Sequence, residues 1–136
     1  MTTLPKSTSS LLVRTAFADN GAWDRLTTAV ATENQDGFRA YVDLVDDSAW
    51  GSATWQSVRA AVPANDEGAS VLFIADGTAL GSQEFPILVV DLLHEEAPFR
   101  CTAAELWGVE NNLNISNMDW IDFAGAVDAE GVFRGF

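Results

Sequence analysis

The residue types that this chain has least of exclude several kinds of site. It contains one cysteine (Cys101), one histidine (His94) and one lysine (Lys6) in 136 residues. A single cysteine cannot form a disulfide within the chain, and one histidine with one cysteine does not supply the four ligands of a structural zinc site. No apolar run approaches the roughly 20 residues that a membrane-spanning helix needs. We therefore expect no metal, no cofactor and no membrane insertion.

The first 15 residues also lack the features of a secretory signal. Their longest apolar patch runs only from Leu11 to Val13, and it is preceded by a polar stretch with a single lysine. A signal peptide needs a longer apolar region followed by a cleavage site of small residues. The sequence therefore predicts a cytoplasmic protein.

Basic residues are scarce as well, and this is the strongest global feature. Seven Lys and Arg stand against 20 Asp and Glu, which gives a net charge of −13. Such a chain repels the phosphate backbone, so nucleic-acid binding is disfavoured. The same charge attracts a basic protein and accelerates its association. We hypothesise a basic protein partner; the alternative is that the surplus of acid only keeps the protein soluble.

The chain does contain regular helix patterns. Four segments place apolar residues at the i, i+3, i+7 spacing that forms one face of a helix. The first of them follows Asp19 and Asn20, which are good residues for a helix N-cap. The four stripes are Trp23, Leu26 and Val30; Trp55, Val58 and Val62; Leu106, Val109 and Leu113; and Trp120, Phe123 and Val127.

Strand patterns alternate with these helices. Residues 38–47 alternate apolar and polar side chains, which predicts a half-buried strand with Phe38 and Leu44 on the covered face. The continuously apolar runs at 70–76 and 86–92 are typical of central strands covered on both faces. The predicted strands are residues 11–15, 38–47, 70–76, 86–92, 99–103 and 132–136.

The order of these elements, β-α-β-α-β-β-β-α-α-β, predicts the fold class. Alternating strands and helices at the start imply parallel crossover units, while the middle of the chain looks antiparallel. We predict an α/β (α+β) fold, with a mixed sheet of about five to six strands and about four helices. Residues 63–68 and 77–86 are predicted as a polar turn and a hairpin loop. Residues 1–10 are predicted as a flexible N-terminal tail, and 11–136 as a single domain.

The segment WGVENNLNISNMDW, residues 107–120, has the most unusual local composition, because four asparagines alternate with apolar residues. Asn111 and Asn112 fall where the third helix is predicted to end, and asparagine tolerates the left-handed conformation found there. Local bonding of asparagine to the backbone explains such a junction without any ligand. The alternative is a small-molecule pocket lined by Glu110, Asn111, Asn114 and Arg134.

Several stretches of this chain resemble a known family. They are LLVRTAF, DGFRAYVDLVDD, ILVVDL, ELWGVENNLNISNMDW and the terminal GVFRGF, of which the fourth is the most specific. Together they resemble an uncharacterised family of small acidic actinobacterial proteins, a domain of unknown function. The resemblance spans nearly the whole chain. It implies a bacterial, single-domain protein and carries over no catalytic residue.

Four of the seven basic residues, Arg14, Arg39, Arg100 and Arg134, lie inside predicted strands. Long cations in a sheet need carboxylate partners, because a buried unpaired charge is costly. We therefore predict an Arg–carboxylate network across one sheet face; the alternative is a cluster of arginines that binds an anionic ligand. The carboxylates expected to take part are Asp43, Asp76, Asp91 and Glu110.

Trp50 stands outside every helix stripe and lies between the acids Asp46 and Asp47 and Gly51. An aromatic side chain surrounded by acids suits a cationic protein surface, so these three residues are candidate partner-binding residues. The alternative is that Trp50 packs against the second helix. His94, with acids on both sides of it, could act as a general base or a weak metal ligand, but consecutive acids after a strand are typical of a solvated loop. Cys101 has no histidine in adjacent sequence, and we assign no catalytic residue.

Two functions follow from these observations. The first is a small acidic protein-binding module, for example an inhibitor of the immunity or antitoxin type that blocks a basic protein. Its support is the net charge and the absence of a catalytic set in the sequence. The second is a small-molecule-binding protein or small enzyme with a polar pocket at the asparagine-rich corner.

Overall fold

The computed structural model describes residues 3–63 and 68–136. Its six strands form one sheet with helices packed on both faces. The strands are β1 (Ser10–Arg14), β2 (Val42–Val45), β3 (Val71–Ala75), β4 (Pro86–Asp91), β5 (Phe99–Thr102) and β6 (Val132–Phe133). The helices are α1 (Asn20–Ala31), α2 (Trp55–Ala61), α3 (Gly77–Leu80), α4 (Leu106–Asn114) and α5 (Trp120–Ala124).

The spatial order of the strands is β2-β1-β3-β4-β5-β6. β1 pairs in parallel with both β2 and β3, and β5 pairs in parallel with β6, whereas β4 is antiparallel to both of its neighbours. Each parallel connection at the start crosses through a helix, as chain geometry requires. The predicted mixed sheet and the predicted order of elements are confirmed, with one addition.

The addition is α3, which lies inside the predicted hairpin loop and raises the number of α-helices to five. Its N-cap is Asp76, the residue after β3, whose carboxylate accepts a hydrogen bond from the Ala79 N–H at 3.0 Å. A capping carboxylate satisfies a donor that the first helical turn leaves free. One turn of helix therefore forms within a loop that has no apolar periodicity.

Apolar side chains fill both sides of the sheet, as predicted for the two continuous runs. Every residue of β3 is buried. Its alternate side chains point to opposite faces, so Phe73 packs on one side and Leu72 and Ile74 on the other. The first side, with α1, α4 and α5, is called the α1 face here, and the second, with α2, the α2 face.

The second strand is shorter than the sequence predicts. The alternating pattern begins at Phe38, but β2 contains only Val42–Val45. Immediately before it, the backbone N–H of Tyr41 donates to the carboxylate of Glu110 at 2.7 Å, instead of pairing with a neighbouring strand. A side-chain acceptor on α4 thus ends the strand pairing early.

The boundary predicted between tail and domain also shifts. Leu4 is buried on the α2 face, and Ser10 is the first residue of β1. Ser10 looked like part of a polar tail, but its hydroxyl accepts a hydrogen bond from the Asn114 amide at 2.9 Å, which makes its burial possible. Of the polar turn predicted at 63–68, residues 64–67 lie outside the described residues.

Candidate functional site

The asparagine-rich segment forms the corner between α4 and α5. The Asn112 amide donates to the Gly108 carbonyl at 2.8 Å and accepts from the Asn117 amide at 2.9 Å. The helix end predicted at Asn111 and Asn112 is wrong by a few residues, because α4 continues to Asn114. The left-handed residue that turns the chain is Ser116, with φ of 57°. Asn112 and Asn117 therefore bond only within this corner, whereas Asn114 also reaches distant segments of the chain.

Asn114 joins α4 to the sheet. Its carbonyl oxygen accepts from the Ser70 backbone N–H at 2.9 Å, and its amide donates to the Ser10 hydroxyl at 2.9 Å and to the Glu110 carboxylate at 3.3 Å. The other carboxylate oxygen of the buried Glu110 accepts from the Tyr41 N–H. These bonds hold the starts of β1 and β3 and the approach to β2 against one helix. We call Ser10, Tyr41, Ser70, Glu110 and Asn114 the α4 clamp.

A cleft of about 390 Å³ lies between residues 37–41 and α4, and it is called the α4 cleft here. Glu110, Asn111 and Asn114 all line it, so the structure brings together three of the four residues predicted for a polar pocket. Phe38 and Trp107 stack beside them, with ring centroids 5.0 Å apart and planes 11° from parallel. The cleft thus combines amides, a carboxylate and an aromatic face, although Glu110 and Asn114 are already bonded within the α4 clamp.

Arg134, the fourth predicted pocket residue, lies elsewhere. It follows β6 and forms ion pairs with Glu84 and with Asp128, the latter at 2.7 Å. The hydrogen bond with Asp128, followed by that with Glu84, raises the pKa of Arg134 above its ordinary value. The same contact with Arg134 lowers the pKa of Asp128. Because its charge is already paired, Arg134 stabilises the chain after β6 and does not line the cleft.

The strand arginines form separate pairs instead of the single network that the sequence predicts. Arg14 binds Asp46 at 3.2 Å on the α1 face, and Arg100 binds both carboxylate oxygens of Asp76, at 2.9 and 2.7 Å. Burial alone would raise the pKa of Asp76, but the hydrogen bonds from Arg100 and from the Ala79 N–H lower it below its ordinary value. Each of these two arginines is therefore paired with an acid from a different loop, and the two pairs are not joined.

The remaining members of the predicted network each have a partner outside any shared network. The guanidinium of Arg39 lies 4.2 Å from the centroid of the Tyr41 ring. Asp43 accepts a hydrogen bond from the Ser7 hydroxyl. Asp91 accepts from the backbone N–H groups of Leu93 and His94, at 3.0 and 3.1 Å, so it organises the turn after β4. No cluster of arginines forms an anion site from these contacts.

Of the two interpretations of Trp50, an exposed aromatic or packing against the second helix, the first is wrong. Only 6% of its surface is accessible, and it packs in the apolar cluster of the α2 face together with Val58 of α2. A 3-10 turn at Ser48–Trp50 points the indole inward, and Asp47 caps this turn by accepting from the Ala49 N–H. Asp46 is paired with Arg14. The alternative, that Trp50 packs against the second helix, fits these contacts.

An exposed apolar surface that the sequence did not predict lies beside β2. Phe38, Tyr41 and Leu44 are 52%, 57% and 52% exposed, respectively. Asp36 and Asp43 are exposed among them. We call these five residues the edge surface. The alternating pattern of residues 38–47 assigned Phe38 and Leu44 to a covered face, because the pattern cannot reveal that β2 is the outermost strand of the sheet.

The thiol of Cys101 is not placed for reaction, and the described residues contain no metal-binding cluster. Cys101 is fully buried, and burial, followed by the charge of Glu105, raises the pKa of its thiol, which disfavours the nucleophilic thiolate. Within residues 3–63 and 68–136, no three His, Cys, Asp or Glu side chains are placed to hold a metal ion. In the same residues, no helix has the length and apolar character to cross a bilayer.

Comparison with known proteins gives a family whose function is unknown. No curated protein matches the chain. A family model described as "Domain of unknown function (DUF6924)" matches residues 9–136, which include every strand and helix of the fold. The match confirms the resemblance to a family of unknown function that the sequence motifs indicated. The chain therefore belongs to the DUF6924 family.

Proposed function

We propose that this domain binds a basic protein through the edge surface. The observation that carries the proposal is that three large apolar side chains, Phe38, Tyr41 and Leu44, are each more than half exposed within the seven residues that lead into and form the edge strand β2. Large aromatic and aliphatic side chains that remain accessible next to one another are typical of binding surfaces. Asp36 and Asp43 are exposed in the same stretch and supply negative charge. Arg39, whose guanidinium lies over the Tyr41 ring, is the one base there.

The overall charge supports a basic partner. A net charge of −13 on 136 residues creates a negative field around the domain. Such a field accelerates the approach of a positively charged protein and repels acidic competitors. An inhibitor of the immunity or antitoxin type is one form of this function, since it needs only to cover a basic surface and performs no chemistry of its own.

Replacing Tyr41 and Leu44 together by serine is expected to abolish partner binding. Both side chains are more than half exposed, so the double variant should fold normally, because substitutions at such positions usually change stability by less than about 0.5 kcal/mol each. The measurement is retention of basic proteins from a cell extract on the immobilised domain, followed by elution with salt. We expect the wild type to retain a basic protein that elutes as salt rises.

The matched control is Ile121→Ser, which removes an equally apolar side chain, 69% exposed, from α5. It should retain the partner as the wild type does. The proposal is wrong if the double variant and the control behave alike, or if the retained protein resists elution by salt.

A second candidate function rests on the α4 cleft. Its volume of about 390 Å³ suits a metabolite-sized ligand, and no hydrogen bond within the described residues engages the side-chain amide of Asn111, which lines it. The stacked rings of Phe38 and Trp107 offer a flat apolar wall beside these polar groups. This arrangement supports binding of a small polar molecule that has one planar or apolar face.

The cleft is tested by a thermal-shift screen of free amino acids, monosaccharides and nucleosides. A compound that binds the folded state raises Tm in proportion to the logarithm of its concentration. We expect at least one compound to do so with the wild type and with Arg134→Ala, but not with Asn111→Ala, because Arg134 lies outside the cleft. Equal shifts in Asn111→Ala, or no shift with any compound, would reject the cleft as a binding site.

A further inference from the structure

The two edges of the sheet are very different. β6, at one edge, has two residues, and Gly131 and Gly135 on either side take positive φ values that end the strand. β2, at the other edge, has four residues and pairs with β1 alone among the described strands. One side of β2 therefore presents backbone N–H and C=O groups that no strand among the described residues satisfies.

Proteins usually protect such an edge, and of the common protections β2 has only its short length and the charge of Asp43. The common devices are a short strand, lysine or proline on the edge, and a bulge. Residues 38–47 contain no lysine, no proline and no glycine. Leu44 is half exposed on this strand, and the one charge within it is Asp43. An accessible edge with an exposed apolar side chain is a template for another strand.

We propose that the basic partner binds by adding an extended segment to β2, so that the sheet gains a seventh strand. This inference rests on the proposed function and specifies its geometry. Main-chain hydrogen bonds to β2 would supply affinity, and side chains on the two faces would supply specificity.

The two faces of β2 define the sequence of that segment. Leu44 shares the α1 face with Val42, whereas Asp43 points to the α2 face with Val45. A strand added beside them would therefore place apolar side chains next to Leu44 and basic side chains next to Asp43, in alternation. The partner segment is thus an extended stretch in which apolar residues alternate with lysine or arginine.

A second copy of this chain is a poor occupant of the same edge. Pairing of two β2 strands would bring together the carboxylates of both copies, and like charges across a strand pair are destabilising. Each copy also carries a net charge of −13. The acids concerned are Asp36, Asp43, Asp46 and Asp47 of each chain. The charge of the edge therefore favours a basic segment over self-association.

The probe is an eight-residue peptide in which valine and lysine alternate, and its control is the same peptide N-methylated at two successive central residues. N-methylation keeps the charge but removes one donor on each edge of the peptide and adds a methyl group in the pairing plane. At low salt we expect the control to bind at least 10-fold more weakly. We also expect amide exchange at residues 42–45 to slow only with the unmodified peptide, as measured by NMR.

Two charge-reversal variants complete the experiment. Asp43→Lys should weaken peptide binding at least 10-fold, whereas Glu130→Lys, which makes the same charge change at an exposed position near β6, should not. Equal binding of both peptides, or amide protection elsewhere than residues 42–45, overturns strand addition while leaving a basic partner intact. Loss of all basic-protein retention in the extract experiment would instead overturn the proposed function.

Discussion

Asn114→Leu is expected to lower the free energy of unfolding by roughly 2–4 kcal/mol. The substitution keeps the side-chain size and removes every polar bond that Asn114 makes in the α4 clamp. The Ser70 N–H loses its acceptor, and the Ser10 hydroxyl and the Glu110 carboxylate lose a donor. Each buried polar group left without a partner costs about 1–3 kcal/mol. Urea unfolding, followed by tryptophan fluorescence, measures the change.

Asn111→Ala is the matched control for this variant, because it alters another asparagine of the same helix. The Asn111 side chain is exposed and makes no hydrogen bond within the described residues, so we expect a change of less than about 0.5 kcal/mol. If the two variants were equally stable, the α4 clamp would not hold the fold together, and Asn114 would become a candidate for ligand binding alone.

The asparagines illustrate what the sequence could and could not predict. Local bonding at a helix corner was predictable, because asparagine favours turns and helix ends wherever it occurs. The role of Asn114 was not, since its partner Ser10 lies 104 residues away along the chain. Only the spacing of Glu110 and Asn114, four residues apart on one helix, was available as a local signal of their contact.

The predictions for Trp50 and for the residues of the edge surface were wrong for a related reason. The order of strands and helices was predictable from periodicity, but not the position of each strand across the sheet. With β1 in an interior position, β2 becomes an edge strand, and its alternating pattern leaves Leu44 exposed instead of covered. Trp50 lies in a three-residue 3-10 turn, which is too short for any apolar period to reveal its inward direction.

The structure also refines the electrostatic argument. Several acids have local tasks: Asp19, Asp47 and Asp76 accept backbone hydrogen bonds at the start of helical segments. Capping of this kind is worth about 1 kcal/mol per site and would be needed in a domain of any net charge. The net charge of −13 therefore includes carboxylates that the fold itself needs, and fewer carboxylates are available to the proposed partner than this charge suggests. Their exposed positions beside β2 make Asp36 and Asp43 the carboxylates relevant to the proposed partner.

Substitution of Arg14 is expected to have the second large effect on the free energy of unfolding. Comparing variants of Arg14 and Asp46 distinguishes the contribution of the packed guanidinium from that of the ion pair. The Arg14 side chain is only 3% exposed, and its guanidinium lies 4.4 Å from the ring centroid of Phe17. Besides Asp46 it binds the Ala16 carbonyl at 2.9 Å and the Asn20 side chain at 2.8 Å. Arg14→Ala removes all of these contacts and leaves a cavity, so we expect a loss of roughly 2–4 kcal/mol in urea unfolding.

Asp46→Ala should cost much less, about 1 kcal/mol or below, although it breaks the same ion pair. The Asp46 side chain is 49% exposed, so water screens its charge, and Arg14 keeps its other acceptors and its aromatic neighbours. Arg14→Lys should fall between the two variants, because lysine retains the charge but lacks the planar fork that reaches three partners. Equal losses of stability for Arg14→Ala and Asp46→Ala would contradict this expectation. They would mean that the ion pair stabilises this end of β1, and that the contacts of the guanidinium with the aromatic rings and the Ala16 carbonyl do not.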